Sequence, residues 1–342
     1  MAPINTTLTK LLNIDVPIVA APMTFAGTSI LASAVTAVGA FGFLAAGFFS
    51  SAELKKQFAH VRETLKVAPG TPVPVGIGFI GWILDITEPS PDPRLVSVLD
   101  EKPAAIWLAF GVDLGKYVAQ IRKYDEGREY KTVIFVIVSS VETARRAAEE
   151  WGVDVLVAQG IEAGGHGASD APPLLTLLAA IRAALPTGPP IVAAGGITTG
   201  AQIAALLALG AAGAALGTRF LFTPECIYSP PMKAALVRAG LGSTVRTLAY
   251  DEVGRTNMWP PACDGRALRN SVMDDVEAGL GLEERLVRFD ASKAAGEEDR
   301  LIVWAGVGVG LVNEITPAGD VVRALHKETV ESLHAAAKLL EA

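Results

Sequence analysis

The stretch Val153-Asp154-Val155-Leu156-Val157-Ala158-Gln159-Gly160-Ile161-Glu162-Ala163-Gly164-Gly165-His166-Gly167 sets a β-branched apolar run against a glycine-rich turn that carries one histidine. The run over 153–158 reads as a buried strand, and the turn places His166 at its C-terminal end. An imidazole titrates near neutrality, with an unperturbed pKa of roughly 6.5, so a histidine held there can take a proton from a weak carbon acid. The flanking glycines permit a sharp turn and the close approach of a flat ligand.

Seven further runs of the same kind flank this one, over 18–21, 42–45, 73–79, 105–110, 133–138, 191–194 and 212–216. They are apolar throughout rather than alternating, as strands covered on both faces should be. Helix-like segments lie between them, among them 142–151, 173–185 and 199–209, with Ser140 and Thr198 or Thr199 as N-caps. Eight such units predict a (β/α)₈ barrel; a doubly wound sheet also alternates, and the count of eight favours the barrel. The regularity ends after Phe222. Residues 223–300 are richer in charge, proline and glycine and predict a mostly helical insertion lying over the strand C-terminal mouth, where barrel enzymes keep their sites. The expected organisation is therefore a ligand-binding barrel over 1–222, a helical lid over 223–300, and a C-terminal segment over 301–342 that returns to the barrel wall. His326 and His334 on that last segment, and His60, read as solvated surface residues.

Composition narrows the function classes. With 342 residues, 51% hydrophobic and 19% charged, the chain can bury a large core. A formal charge of −7 without a basic run argues against nucleic acid and anionic membranes as partners. No apolar stretch approaches the roughly 20 residues of a membrane span, and residues 1–10 lack an apolar signal core, so cytoplasmic residence is the default expectation. Cys226 and Cys263 have no metal-ligand spacing and read as free thiols; no metal site is expected. Alanine-rich helix surfaces leave room for a homodimer.

Two segments match dinucleotide fingerprints by letter. Gly76-Ile77-Gly78-Phe79-Ile80-Gly81 is followed by Pro89, Pro91 and Pro93 where a phosphate-binding helix should run, and Gly306-Val307-Gly308-Val309-Gly310 has too little chain after it. A better anion site lies where strands seven and eight end. Ala194-Gly195-Gly196-Ile197 and Leu216-Gly217-Thr218-Arg219 would be neighbouring loops in a barrel. Their backbone N–H groups, the Thr218 hydroxyl and a helix N-terminus could hold a phosphate, and Arg219 could pair with a carboxylate beneath.

Taken in order, Ala20-Ala21-Pro22-Met23, the Gln159–His166 turn, Ala194-Gly195-Gly196-Ile197 and Gly217-Thr218-Arg219-Phe220-Leu221 resemble the nitronate monooxygenases, formerly 2-nitropropane dioxygenases, from about residue 13 to 325. The Trp259-Pro260 pair and Asp264-Gly265-Arg266-Ala267-Leu268-Arg269-Asn270 resemble the fungal branch. The resemblance implies a barrel that holds FMN non-covalently and oxidises alkyl nitronates with O2 to carbonyl compounds and nitrite through a flavin semiquinone. It implies Ala21, Pro22, Met23 and Gly78 along the flavin, and Gln159, Gly164 and Gly165 near its ring and ribityl parts. Gly195, Gly196, Leu216, Gly217 and Thr218 would lie about the phosphate, and His166 would be the base toward nitroalkanes or the group that orients a nitronate. Gly78 and Ile137 stand where many relatives place a polar side chain. A flavin-dependent enoyl-ACP reductase consuming NAD(P)H, and a silent barrel that only binds a phosphorylated ligand, are the rival readings. Trp82, Trp107 and Phe110 could line a pocket or simply pack, and Glu162 could orient His166 or cap a helix.

Overall fold

In the strand Val133–Val138, successive side chains enter two different cores. Phe135 and Ile137 join a cluster inside a cylinder of strands, while Ile134, Val136 and Val138 join a larger cluster between that cylinder and the surrounding helices. Both faces are therefore covered, which is why the run is apolar at every position. The computed structural model describes residues 3–340.

Its strands are β1 (Ile18–Ala20), β2 (Phe41–Ala45), β3 (Val73–Ile80), β4 (Pro103–Ala109), β5 (Val133–Val138), β6 (Val155–Gln159), β7 (Gly165–Ala168), β8 (Ile191–Ala194), β9 (Gly213–Leu216), β10 (Thr244–Thr247) and β11 (Cys263–Leu268). All but β7, β10 and β11 form a closed parallel barrel, in which β9 returns to pair with β1 through Ile18 opposite Ala214. This is the predicted (β/α)₈ architecture. Inside it Phe43, Trp107 and Phe135 pack ring on ring, with centroids 5.2 to 5.9 Å apart. Leu8, from the N-terminal helix Thr7–Leu12, joins the same interior cluster. The helix Ala318–Ala337 packs against the helices Gly200–Ala208 and Ser29–Thr36 and so completes the outer ring. Ser140 and Thr199 cap their helices as the sequence suggests.

Three expectations change. The glycine turn before His166 is not a loop throughout, because β7 pairs antiparallel with β11, and β11 with β10. The segment after Phe222 thus adds a small sheet to its helices, and that sheet incorporates the histidine. His326 is not solvated but buried within the last helix. The fingerprint-like glycines of β3 serve packing: a Cβ at Gly76 would lie 2.2 Å from the Phe43 ring, and one at Gly81 2.7 Å from the backbone of Gly111. A seven-residue helix, Gly81–Thr87, does follow, but it stops before the prolines. No helix among the described residues is long and apolar enough to cross a membrane.

Candidate active site

At the C-terminal ends of the barrel strands lies a cavity into which the predicted residues converge. Ala21, Pro22, Met23, Gly78, Gln159, Gly164, Gly165, His166, Gly195, Gly196, Gly217 and Thr218 all line it. Leu216 does not: its side chain is buried in the outer core, and its carbonyl accepts from the Ala21 N–H at 3.1 Å. Ile137, Trp107 and Phe110 also line the cavity, Trp107 being shared with the interior aromatic cluster.

One end is a cup of small residues. Gly195 and Gly196 leave β8 with φ of +117° and +70°, a backbone that L side chains rarely adopt. The neighbouring strand β9 ends in Gly217 and a four-residue helix, Thr218–Leu221. Gly306 and Gly308, from the second fingerprint-like stretch, bridge the two turns. The Gly306 N–H donates to Thr218 Oγ1 at 2.9 Å, and a Cβ at Gly308 would come within 2.8 Å of the Gly196 carbonyl oxygen. The longer helix after β8 has already used its first N–H groups. Thr198 and Thr199 donate theirs to Gln202 Oε1, and Gly200 donates to Glu328 Oε2. Only the short helix therefore opens toward the cup. Arg219 forms no ion pair among the described residues; burial pulls its pKa down, against the raising effect of Glu314.

In the same cavity, His166 is fixed on four sides. The β7–β11 ladder sets it opposite Gly265, where a Cβ would strike the Trp304 ring at 2.3 Å. Trp259 stacks flat on the imidazole, with centroids 3.4 Å apart and planes within 9°, and Trp304 lies on it at 4.7 Å and 51°. The fourth contact is Asp251, whose Oδ1 is 2.9 Å from His166 Nε2. The same oxygen accepts from Thr256 Oγ1 at 2.9 Å and Trp259 Nε1 at 2.8 Å, and the carboxylate is 1% exposed. An acceptor at Nε2 keeps a proton on that nitrogen, leaving Nδ1, which has no protein partner among the described residues, as the basic nitrogen of the neutral ring.

Asp251, Thr256, Trp304 and the stacking role of Trp259 are not evident from the sequence. They lie 85 to 138 residues from the histidine, and no local spacing joins them. The best available hint is the acid itself, set between Tyr250 and Val253 in a helix whose other inward residues are apolar. Glu162 does not orient His166; its carboxylate accepts the Leu174 N–H at 3.0 Å and so caps the helix Leu174–Ala184. Two arginines hold the histidine strand. Arg246 donates to the Gly167 carbonyl at 2.9 Å and pairs with Asp264, and Arg266 donates to the Ile161 carbonyl at 3.1 Å. Burial lowers the pKa of Arg266, and the charge of Arg246 lowers it further.

A closed parallel barrel with a carboxylate–histidine pair at its strand C-terminal mouth, in a cavity also lined by glycine turns, defines the class as a barrel enzyme. The nitronate monooxygenase family model matches residues 5–71 and 84–328, so the chain belongs to the nitronate monooxygenase family and is an oxidoreductase. A nitronate monooxygenase of Neurospora crassa is 33% identical over 92% of this chain and 89% of its own length. Among solved structures, FabK from Thermotoga maritima superposes with a TM-score of 0.78 at 27% identity, covering 98% of this chain and 99% of its own. The nitroalkane oxidase from Streptomyces ansochromogenes superposes with a TM-score of 0.76 at 29% identity, covering 96% and 99%.

Proposed function

We propose that this chain is an FMN-dependent nitronate monooxygenase that oxidises alkyl nitronates with O2 to carbonyl compounds and nitrite. The observation that carries the reading is the Asp251–His166 pair on the wall of a cavity that Gly195, Gly196, Gly217 and Thr218 also line.

The residues present fit a flavin nucleotide. Gln159 Oε1 is buried, unpaired and on the cavity wall, which suits a ring N–H, while Gln159 Nε2 donates to the His166 carbonyl at 3.3 Å. Pro22 and Gly78 meet so closely that a Cβ at Gly78 would fall 2.3 Å from the proline ring; glycine there leaves a smooth wall for a flat ring. Backbone groups at the cup and the start of the helix Thr218–Leu221 suit a phosphate without a lysine. A bound flavin would supply electron acceptance and reactivity with oxygen. The chain's own contribution is to orient the substrate and manage one proton. His166 Nδ1 takes the α-proton of a neutral nitroalkane, and the resulting imidazolium is balanced by Asp251 through Nε2–H; for a substrate arriving as a nitronate, the same imidazolium orients the anion. Trp259 and Trp304 keep the ring from rotating as its charge changes.

Purified protein should carry a yellow chromophore identified as FMN by mass spectrometry, and anaerobic mixing with ethyl nitronate should bleach it. A colourless protein that takes up no FMN rejects the reading. So does bleaching by NADH or NADPH without bleaching by a nitronate, the behaviour of a reductase on this scaffold.

A further inference from the structure

Two indoles, Trp259 and Trp304, share the cavity wall with His166, and they differ in what their ring N–H groups meet. Trp259 Nε1 donates to Asp251 Oδ1 at 2.8 Å, a charge-assisted bond to a carboxylate that is 1% exposed. The backbone carbonyl of Trp304 accepts from the Tyr228 hydroxyl at 3.4 Å, but its Nε1 has no hydrogen-bond acceptor among the described residues. A third indole, Trp82, lies outside the cavity lining. It meets Trp259 edge to face with centroids 5.6 Å apart, and its own Nε1 is buried without a partner.

An indole is among the side chains that give up one electron most readily, and the cation left behind is a strong N–H acid. Where a base is already hydrogen-bonded to that N–H, the proton can leave as the electron does, and no unpaired cation is stranded away from water. Of the three indoles only Trp259 has such a base. Asp251 also keeps its second oxygen, Oδ2, buried and without a partner, so the carboxylate has lone pairs left on which to hold a proton. The flat stack on His166 at 3.4 Å fixes the plane of the indole, and with it the line of the Nε1–H bond toward Oδ1.

Resting on the flavin of the functional reading above, we propose that Trp259 and Asp251 form a one-electron, one-proton donor pair toward a light-excited, oxidised flavin. One electron passes from the Trp259 indole to the flavin and the Nε1 proton passes to Asp251, leaving a neutral indolyl radical beside a carboxylic acid. Trp82 and Trp304 have no base to receive a proton and so do not hold the oxidised state. When the electron returns the proton returns with it, and light absorbed by the flavin is discharged within the protein.

Time-resolved flavin fluorescence and transient absorption of the holoenzyme, without substrate, provide the test. Emission should be strongly quenched relative to free FMN, a neutral tryptophanyl radical should form as it decays, and deuterated solvent should slow the appearance of that radical. Trp259→Phe should lengthen the fluorescence lifetime several-fold and abolish the neutral radical, whereas Trp82→Phe should leave both as in the wild type. Asp251→Asn should replace the neutral radical by the cation radical and remove the isotope effect, because the electron keeps its source and the proton loses its acceptor. A bound flavin as bright as free FMN, quenching that survives Trp259→Phe, or a neutral radical that persists in Asp251→Asn overturns the inference and leaves the functional reading standing. Absence of the isotope effect in the wild type does the same without any variant. A chain that takes up no FMN overturns both.

Discussion

Asp251 accepts three hydrogen bonds on a single oxygen, and the consequence is felt at His166. With Nε2–H, Thr256 Oγ1 and Trp259 Nε1 all directed at Oδ1, the imidazole is held in one tautomer and one plane. Replacing His166 by Asn should lower kcat/KM for neutral nitroalkanes by about 10²- to 10⁴-fold, the usual worth of general-base catalysis, with chromophore content unchanged. Asp251→Asn should act through the ring rather than on the substrate. Its loss, about 10²-fold on nitroalkanes, should be accompanied by a displaced pH profile and be smaller on preformed nitronates, which need no deprotonation. An unshifted profile with equal losses on both substrates would reduce Asp251 to a packing residue.

Strands and turns divide sharply in how far the sequence discloses them. All eight barrel strands are legible because burial on both faces leaves an uninterrupted apolar signature, as in β5. The cup is legible too, since the Gly195-Gly196 pair after β8 and Gly217 after β9 mark two successive strand ends. β7 is not. Gly165-His166-Gly167-Ala168 has no intrinsic preference for strand, and its ladder is supplied by β11, about a hundred residues later. Nor can the letters of a fingerprint reveal that Gly76 is small because Phe43 lies beneath it, or that Gly306 and Gly308 are small because two turns meet there. Two expectations at this scale follow. Arg246→Ala removes the buried partner of Asp264 and the donor to Gly167, and should cost about 3 kcal/mol of stability, read as a lower denaturant midpoint with unchanged slope. Gly76→Ala drives a methyl into the Phe43 ring and should cost about 1–3 kcal/mol by the same measurement, through overpacking alone.

For the molecule as a whole, the two buried thiols report on integrity. Burial pushes the Cys263 thiol up to about 12, well above the usual thiol range, and burial raises Cys226 as well. Both are therefore neutral and shielded in the folded state, and iodoacetamide at pH 8 should label neither until the chain unfolds. The sign of the linkage is fixed by the unfolded chain releasing these protons first. The contribution is intact below pH 9 and is lost as pH rises from 9 toward 12, so stability should decline across that window, less steeply in Cys263→Ala. The division of labour between barrel and insertion has a further outcome. The barrel side supplies the base and the cup, whereas the acid that steadies the base and the indole that covers it both come from beyond Phe222. Exchanging that region between related barrels would therefore replace the base's acceptor and both indoles that hold its ring in a single step, while His166 and the glycine turns stayed where the barrel puts them.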